Sequence, residues 1–118
     1  ASRFAGKKLP LVQKTFESKA IGALNLMNAT VNEPVRTFVA FASISGRYGA
    51  IGQTDYGSAN EWLTKIVARY AYLNPQCHAV ALDWHSWGEV GMAARPETKH
   101  SPMLKTMRFM PVDEGVDP

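Results

Sequence analysis

Cys77 is the single cysteine in 118 residues, so no disulfide can form within the chain, and a reducing compartment is the simpler expectation. No apolar run approaches the roughly 20 residues that span a bilayer. The first residues also lack the basic-then-apolar layout of a secretory signal, so a cytoplasmic location away from any membrane is expected. Lys and Arg number 13 against 10 Asp and Glu, a net charge of +3. No basic run exceeds Lys7-Lys8 and no nucleic-acid-binding module is visible, which argues against DNA or RNA as partners. His78, His85 and His100 do not fall at metal-ligand spacing, and Cys77 has no partner thiolate, so no metal site is expected. Gly46, Gly49 and Gly52 are not followed by the lysine and hydroxyl residue of a phosphate-binding loop, which excludes nucleotide hydrolysis of that kind. A glycine-rich strand-to-helix turn for a dinucleotide pyrophosphate is missing as well. The chain opens at Ala1 without methionine and stops within Asp113-Glu114-Gly115-Val116-Asp117-Pro118, where a helix should begin, so it reads as part of a longer protein.

What is present is ordinary for a folded domain, with 46% apolar and 19% charged residues. Phe16, Ala20, Ala23, Leu24 and Met27 recur at helical spacing and predict one amphipathic helix from about Pro10 to Thr30. Asn32-Glu33-Pro34 ends it, because proline cannot continue the hydrogen-bond ladder and disfavours helix in the residue before it. Val35 to Ile44 is nearly continuous apolar sequence, which suits a strand covered on both faces in a parallel sheet. Ser45 to Gln53, with three glycines and no strong period, predicts a loop. Thr54 or Asp55 can cap the next helix, which carries the stripe Ala59, Trp62, Leu63, Ile66, Val67 and Tyr70 and stops before Asn74-Pro75. His78 to Trp84 predicts a second strand, irregular chain follows, and 101–107 reads as a short helix. Strand, helix and strand make a right-handed βαβ unit. The fold class is therefore α/β, the second half of a Rossmann-like doubly wound parallel sheet. In such sheets ligands bind beyond the carboxyl ends of the strands, where Ser43 and the segment after Trp84 lie.

Tyr56 and Asn60, four apart on one helix, project from the same face. Ser43 stands thirteen residues upstream at a strand end, and Lys19 twenty-four residues before that. Together they offer a proton donor, an orienting hydroxyl, a cation and an amide, the set needed to protonate a carbonyl oxygen as charge develops on it. A free tyrosine, with a pKa near 10, is a reluctant acid until a positive charge such as Lys19 stabilises its phenolate. Ser43 would hold the carbonyl oxygen, and Asn60 would complete the network. Carbonyl reduction also needs a hydride, which no side chain can supply. Taken singly, each residue has a plainer role: Tyr56 as a half-buried helix residue, Ser43 bonded to backbone, Lys19 solvated.

In order and spacing these four residues resemble the ketoreductase domains of polyketide and polyunsaturated-fatty-acid synthases, within the short-chain dehydrogenase/reductase superfamily. The wider superfamily has Tyr-x-x-x-Lys, whereas here Asn60 follows the tyrosine and Lys19 sits on the earlier helix, the exchange that marks the synthase type. Lys19-Ala-Ile-Gly22, Phe38 to Ser43, Gly49-Ala-Ile-Gly52-Gln53, Tyr56 to Asn60, and Trp84-His85-Ser86-Trp87-Gly88 with Gly91-Met92 also look like family motifs. His85 and Ser86 depart from the usual Trp-Gly-Pro-Trp, Ala42 replaces the first serine of Phe-Ser-Ser, and Tyr48 stands where one stereochemical type has tryptophan.

The resemblance covers roughly residues 10 to 116. It implies NADPH-dependent reduction of a β-ketoacyl thioester on an acyl carrier protein, inside a synthase with neighbouring domains. Residues 1–118 would then be a partial domain lacking the dinucleotide-binding half, and inactive alone. Lys19 and Tyr56 would also meet the cofactor, joined by Gly88, Gly91 and Met92, although these three also fit an ordinary turn. Trp84 and Trp87 would line the substrate pocket or serve as core and rim aromatics. A catalytically silent scaffold domain, or a stand-alone reductase of small free carbonyls, are the alternatives; the intact four residues oppose the first, and Asn60 with the Trp-x-x-Trp-Gly segment opposes the second.

Overall fold

Pro10 stands in the first turn of helix α1 (Leu9–Phe16), where its missing N–H would have no partner in any case. The structure, a computed structural model, describes residues 3–91, 94–95 and 108–116 and divides into two units, Ala1–Trp84 and His85–Pro118. In the first unit α1 runs on through a wide π-helical turn, Glu17–Ile21, into α2 (Gly22–Ala29). Strand β1 (Thr37–Phe41), the short helix α3 (Ile44–Tyr48), the long helix α4 (Thr54–Leu73) and strand β2 (His78–Leu82) follow. The strands pair in parallel, from Thr37 opposite His78 to Phe41 opposite Leu82. The ladder-like bonds continue past them, with Ala42 N–H donating to Leu82 O at 2.8 Å and Ile44 N–H to Trp84 O at 3.2 Å.

Period-2 geometry sends Phe38 and Ala40 of β1 into the core with Met27, Ala42, Leu63, Val67 and Cys77, and the Phe38 ring lies 5.3 Å from that of Tyr70. The opposite face is not covered: Val39 is 47% and Phe41 58% exposed. The apolar run thus predicted two covered faces where these residues supply cover for one. Its carboxyl end departs from extended chain for a local reason. Ser43 accepts the Ser45 N–H at 3.2 Å as an N-cap and so starts α3 inside the predicted loop. The loop itself shrinks to the turn around Gly49 and Gly52, whose φ of +69° and +75° favours glycine.

In the second unit, Trp87 and Met110 form a parallel bridge, Gly88 N–H donates to Met110 O at 3.1 Å, and helix α5 spans Val112–Val116. A Cβ on Gly115 would meet the Trp87 indole at 2.8 Å, so the ring packs flush against this glycine. The predicted helix at 101–107 lies outside the described residues. Among the described residues, no helix is long and apolar enough to cross a membrane.

The entry to α4 is tied down from a distance in sequence. Lys7 Nζ donates to Gly52 O at 3.0 Å and to the Asp55 carboxylate, with side-chain exposures of 9% and 18%. Burial pushes the Asp55 carboxyl up, but the Lys7 hydrogen bond and the Tyr56 backbone N–H outweigh it and hold the group below its ordinary value. A depressed folded-state pKa stabilises the fold above the unfolded pKa and loses that contribution as pH falls through the folded one. Asp55→Asn is therefore expected to destabilise the protein by about 1–3 kcal/mol at pH 7. The gap from wild type should close below the ordinary carboxylate range; denaturant titrations at pH 7 and in acid measure both.

Candidate active site

The site begins with a close helix contact. A Cβ on Gly57 would lie 2.8 Å from Ser45 O, and one on Gly46 would lie 2.9 Å from Glu61 N. Glycine at both positions lets the backbones of α3 and α4 touch, and this brings the end of β1 against the first turns of α4. Gly46 is thus a packing glycine rather than the turn residue its sequence context predicted. Arg47 Nε donates to Asp83 Oδ2 at 2.8 Å and Thr64 Oγ1 to Asp83 Oδ1 at 3.3 Å, joining α3 and α4 to the chain beyond β2.

Within this frame the four predicted residues fall in the first unit. Lys19 rides on the π-turn; its Nζ donates to Phe41 O at 2.9 Å and lies 5.7 Å from the centroid of the Tyr56 ring, a cation–π distance. Tyr56 occupies the first turn of α4. Asn60 is fully buried one turn further on, and its Nδ2 donates to Tyr56 O at 2.7 Å. Its Oδ1 is buried with no hydrogen-bond partner among the described residues, a costly state for an amide oxygen. Ser43 Oγ donates to Ser45 Oγ at 3.3 Å, and Ser45 Oγ in turn donates to Gln53 Oε1 at 3.1 Å. The Ser43 hydroxyl is therefore a helix cap whose proton points along a short polar chain.

Trp84 follows β2, and its ring meets Phe41 edge-on at 5.7 Å. A groove of about 340 Å³ runs beside β1, lined among others by Ser18, Lys19, Gly22, Leu26 and Phe41. Trp87, Gly88 and Gly91 belong to the second unit, where Trp87 packs on Gly115 and Gly91 has a φ of +80°. Met92 lies outside the described residues. Among the described residues no three His, Cys, Asp or Glu side chains cluster to hold a metal.

A buried amide, a cation over a tyrosine ring and a serine at a strand end thus lie in the first unit, and comparison with known proteins gives the family of the chain. The KR domain family matches residues 3–89. The chain belongs to the ketoreductase (KR) domain family. It is 34% identical over 84 residues to a mycocerosic acid synthase-like polyketide synthase of Mycobacterium tuberculosis, covering 70% of this chain. It is 39% identical over 80 residues to the spectinabilin polyketide synthase system protein NorB of Streptomyces orinoci, covering 67%. This chain spans only 4% of each of those proteins. An A-type ketoreductase from a modular polyketide synthase superposes with a TM-score of 0.80 at 27% identity, over 93% of this chain and 23% of that one. A ketoreductase domain from the bacillaene assembly line gives 0.76 at 29% identity, over 98% and 29%. The fold is accordingly the Rossmann-like fold of short-chain dehydrogenase/reductases.

Several features around the candidate residues were not legible in the sequence: the π-turn under Lys19, the Ser43 cap, the glycine contact and the Lys7–Asp55 clamp. Gly57, directly after the tyrosine, was the available signal for the close approach. If Asn60 serves function rather than packing, Asn60→Ala removes an unsatisfied buried oxygen and a poor mid-helix residue. Thermal melting should then show stability within about 1 kcal/mol of wild type or higher, with ketoreductase turnover at least about tenfold lower. A loss above about 2 kcal/mol, as from a core cavity, would make Asn60 a packing residue.

Proposed function

We propose that this chain supplies the proton-transfer machinery for NADPH-dependent reduction of a β-ketoacyl thioester, carried by an acyl carrier protein within a synthase. The observation that carries it is the Lys19 ammonium 5.7 Å from the centre of the Tyr56 ring, brought there from a separate helix. Tyr56 is the acid: its phenolic proton passes to the carbonyl oxygen, and Lys19 stabilises the phenolate left behind. Ser43 turns its proton from Ser45 to the same oxygen and steadies the developing charge. Asn60, its Oδ1 buried and unsatisfied among the described residues, accepts from a water or from the lysine.

A reduced nicotinamide, when bound, supplies the hydride that completes the alcohol. The donor set fits its ribose end: Lys19 spends one of three N–H donors on Phe41 O, leaving two for hydroxyls. Tyr56 shares that role, and Gly88, Gly91 and Met92 are the further backbone candidates. Trp84, edge-on to Phe41 beyond β2, and Trp87 are the substrate-side candidates.

Residues 1–118 form, on the same proposal, part of a larger ketoreductase domain. The exposed face of β1 supports it, as does its second edge, which no strand pairs among the described residues, since such an edge is normally paired or protected. So does the small share of the solved ketoreductases that the chain spans, 23% and 29%. A partial domain of this kind leaves the glycine-rich cofactor turn to the remainder.

The test is NADPH oxidation by the full-length protein with a β-ketoacyl pantetheine thioester. Tyr56→Phe is expected to lower turnover by about a hundred- to ten-thousand-fold while NADPH affinity, read by nucleotide fluorescence, stays near wild type. Equal rates in wild type and variant would assign the acid elsewhere; cofactor binding without turnover in wild type would favour a silent scaffold.

A further inference from the structure

We propose that the π-turn Glu17–Ile21, held open by Gly22, is a positioning device for Lys19. It rests on the assignment of Lys19 as the cation that serves Tyr56 and the cofactor ribose. Wide turns of this kind are rare, occur mostly as single insertions within α-helices, and concentrate at functional sites. Here the Gly22 N–H reaches Glu17 O, five residues back, where a regular helix would bond four back. Regular helix lies on both sides. Nothing in the local sequence demands the irregularity, since Glu17, Ser18, Lys19, Ala20 and Ile21 all accept helical conformation and no proline intervenes.

The cause lies in what must face inward before, within and after the turn. Phe16 meets Trp62 of α4 at a ring distance of 6.5 Å, Ala20 is fully buried, and Met27 belongs to the core. Lys19 sits at the centre of the turn, and from there its Nζ reaches both Phe41 O and the Tyr56 ring. Each α-helical residue advances about 100° and about 1.5 Å, so removing the extra residue would swing Lys19 relative to one flank or the other.

Gly22 keeps the turn wide. A Cβ at this position would lie 3.3 Å from Glu17 O, the oxygen that accepts the wide-turn hydrogen bond. Glycine is otherwise among the poorest residues for a helix interior, and alanine would be preferred there if the helix were regular.

The experiment uses the full-length protein in four forms besides wild type: deletion of Ser18, which restores a regular helix with α1 and α2 in phase, Gly22→Ala, Lys19→Ala, and Lys19→Ala combined with the deletion. NADPH affinity by fluorescence, kcat and KM with a β-ketoacyl thioester, and thermal melting are read for each. The deletion is expected to match Lys19→Ala in NADPH affinity and kcat, with melting near wild type. The combined variant should be no worse than either alone, because residues acting as one unit are not additive. Gly22→Ala should shift both readouts the same way by about three- to tenfold, as small misplacements do.

If Lys19→Ala costs its full factor again in the deletion background, the loss does not run through Lys19 and the proposal fails. It fails too if the deletion and Gly22→Ala leave affinity and kcat unchanged while Lys19→Ala does not. Wild-type behaviour of Lys19→Ala would instead overturn the assignment of Lys19 beneath it. Should the deletion prevent folding, the same additivity criterion applied to Gly22→Ala with Lys19→Ala decides the matter.

Discussion

The parallel pairing of β1 with β2 is the constraint on which the rest of the first unit depends. Parallel neighbours cannot be joined by a tight turn, so the chain must leave β1, cross the sheet and return. The twenty-residue α4 is that crossing. Because the crossing starts at the carboxyl end of β1, the strand-end serine, the short helix it caps and the first turn of α4 are forced into one small volume. Topology brings Tyr56 there, and the Lys19 ammonium and the Asn60 amide then meet it. The Lys7 ammonium then holds the turn that launches α4 through Gly52 and Asp55, so the phenol is carried on an anchored helix end.

Several residues around the proposed site break local rules. Asn60 puts a short polar amide in mid-helix at a fully buried position and leaves one oxygen unsatisfied among the described residues. Gly46 and Gly57 weaken the helices that contain them in return for backbone contact. The helix bearing Lys19 abandons regular geometry at that residue. Departures of this sort, in a chain otherwise consistent with its fold, concentrate at functional positions. In the ketoreductase reading all of them converge on the volume around Tyr56.

Much of the architecture was legible because it rests on periodicity. The stripe from Ala59 to Tyr70 required a buried helix, and the runs before Ser43 and Trp84 required strands, since apolar spacing reports the face an element hides. The four candidate site residues stood out in the sequence for a different reason, as a pattern of chemistry in a known order, and their roles belong to the proposal. Hidden from the sequence were features set by backbone meeting backbone. Ser43 as a cap, Gly57 against Ser45, and the wide turn at Lys19 are decided by distances between elements far apart in the chain. The exposure of Val39 and Phe41 was hidden too, because an apolar run tells which residues avoid water but not whether a covering layer belongs to the same stretch of chain.

The most direct test of the central claim, that this site reduces a carbonyl with Tyr56 as proton donor, is to follow the transferred atom itself. Full-length protein is given NADPH deuterated on the transferred position of the nicotinamide together with a β-ketoacyl thioester, and the product is analysed by mass spectrometry. One deuterium on the new carbinol carbon is expected from wild type, and from Tyr56→Phe almost none over the same interval with cofactor still bound. Deuterium transfer at an undiminished rate without the Tyr56 hydroxyl, or none in wild type with both ligands bound, would contradict it.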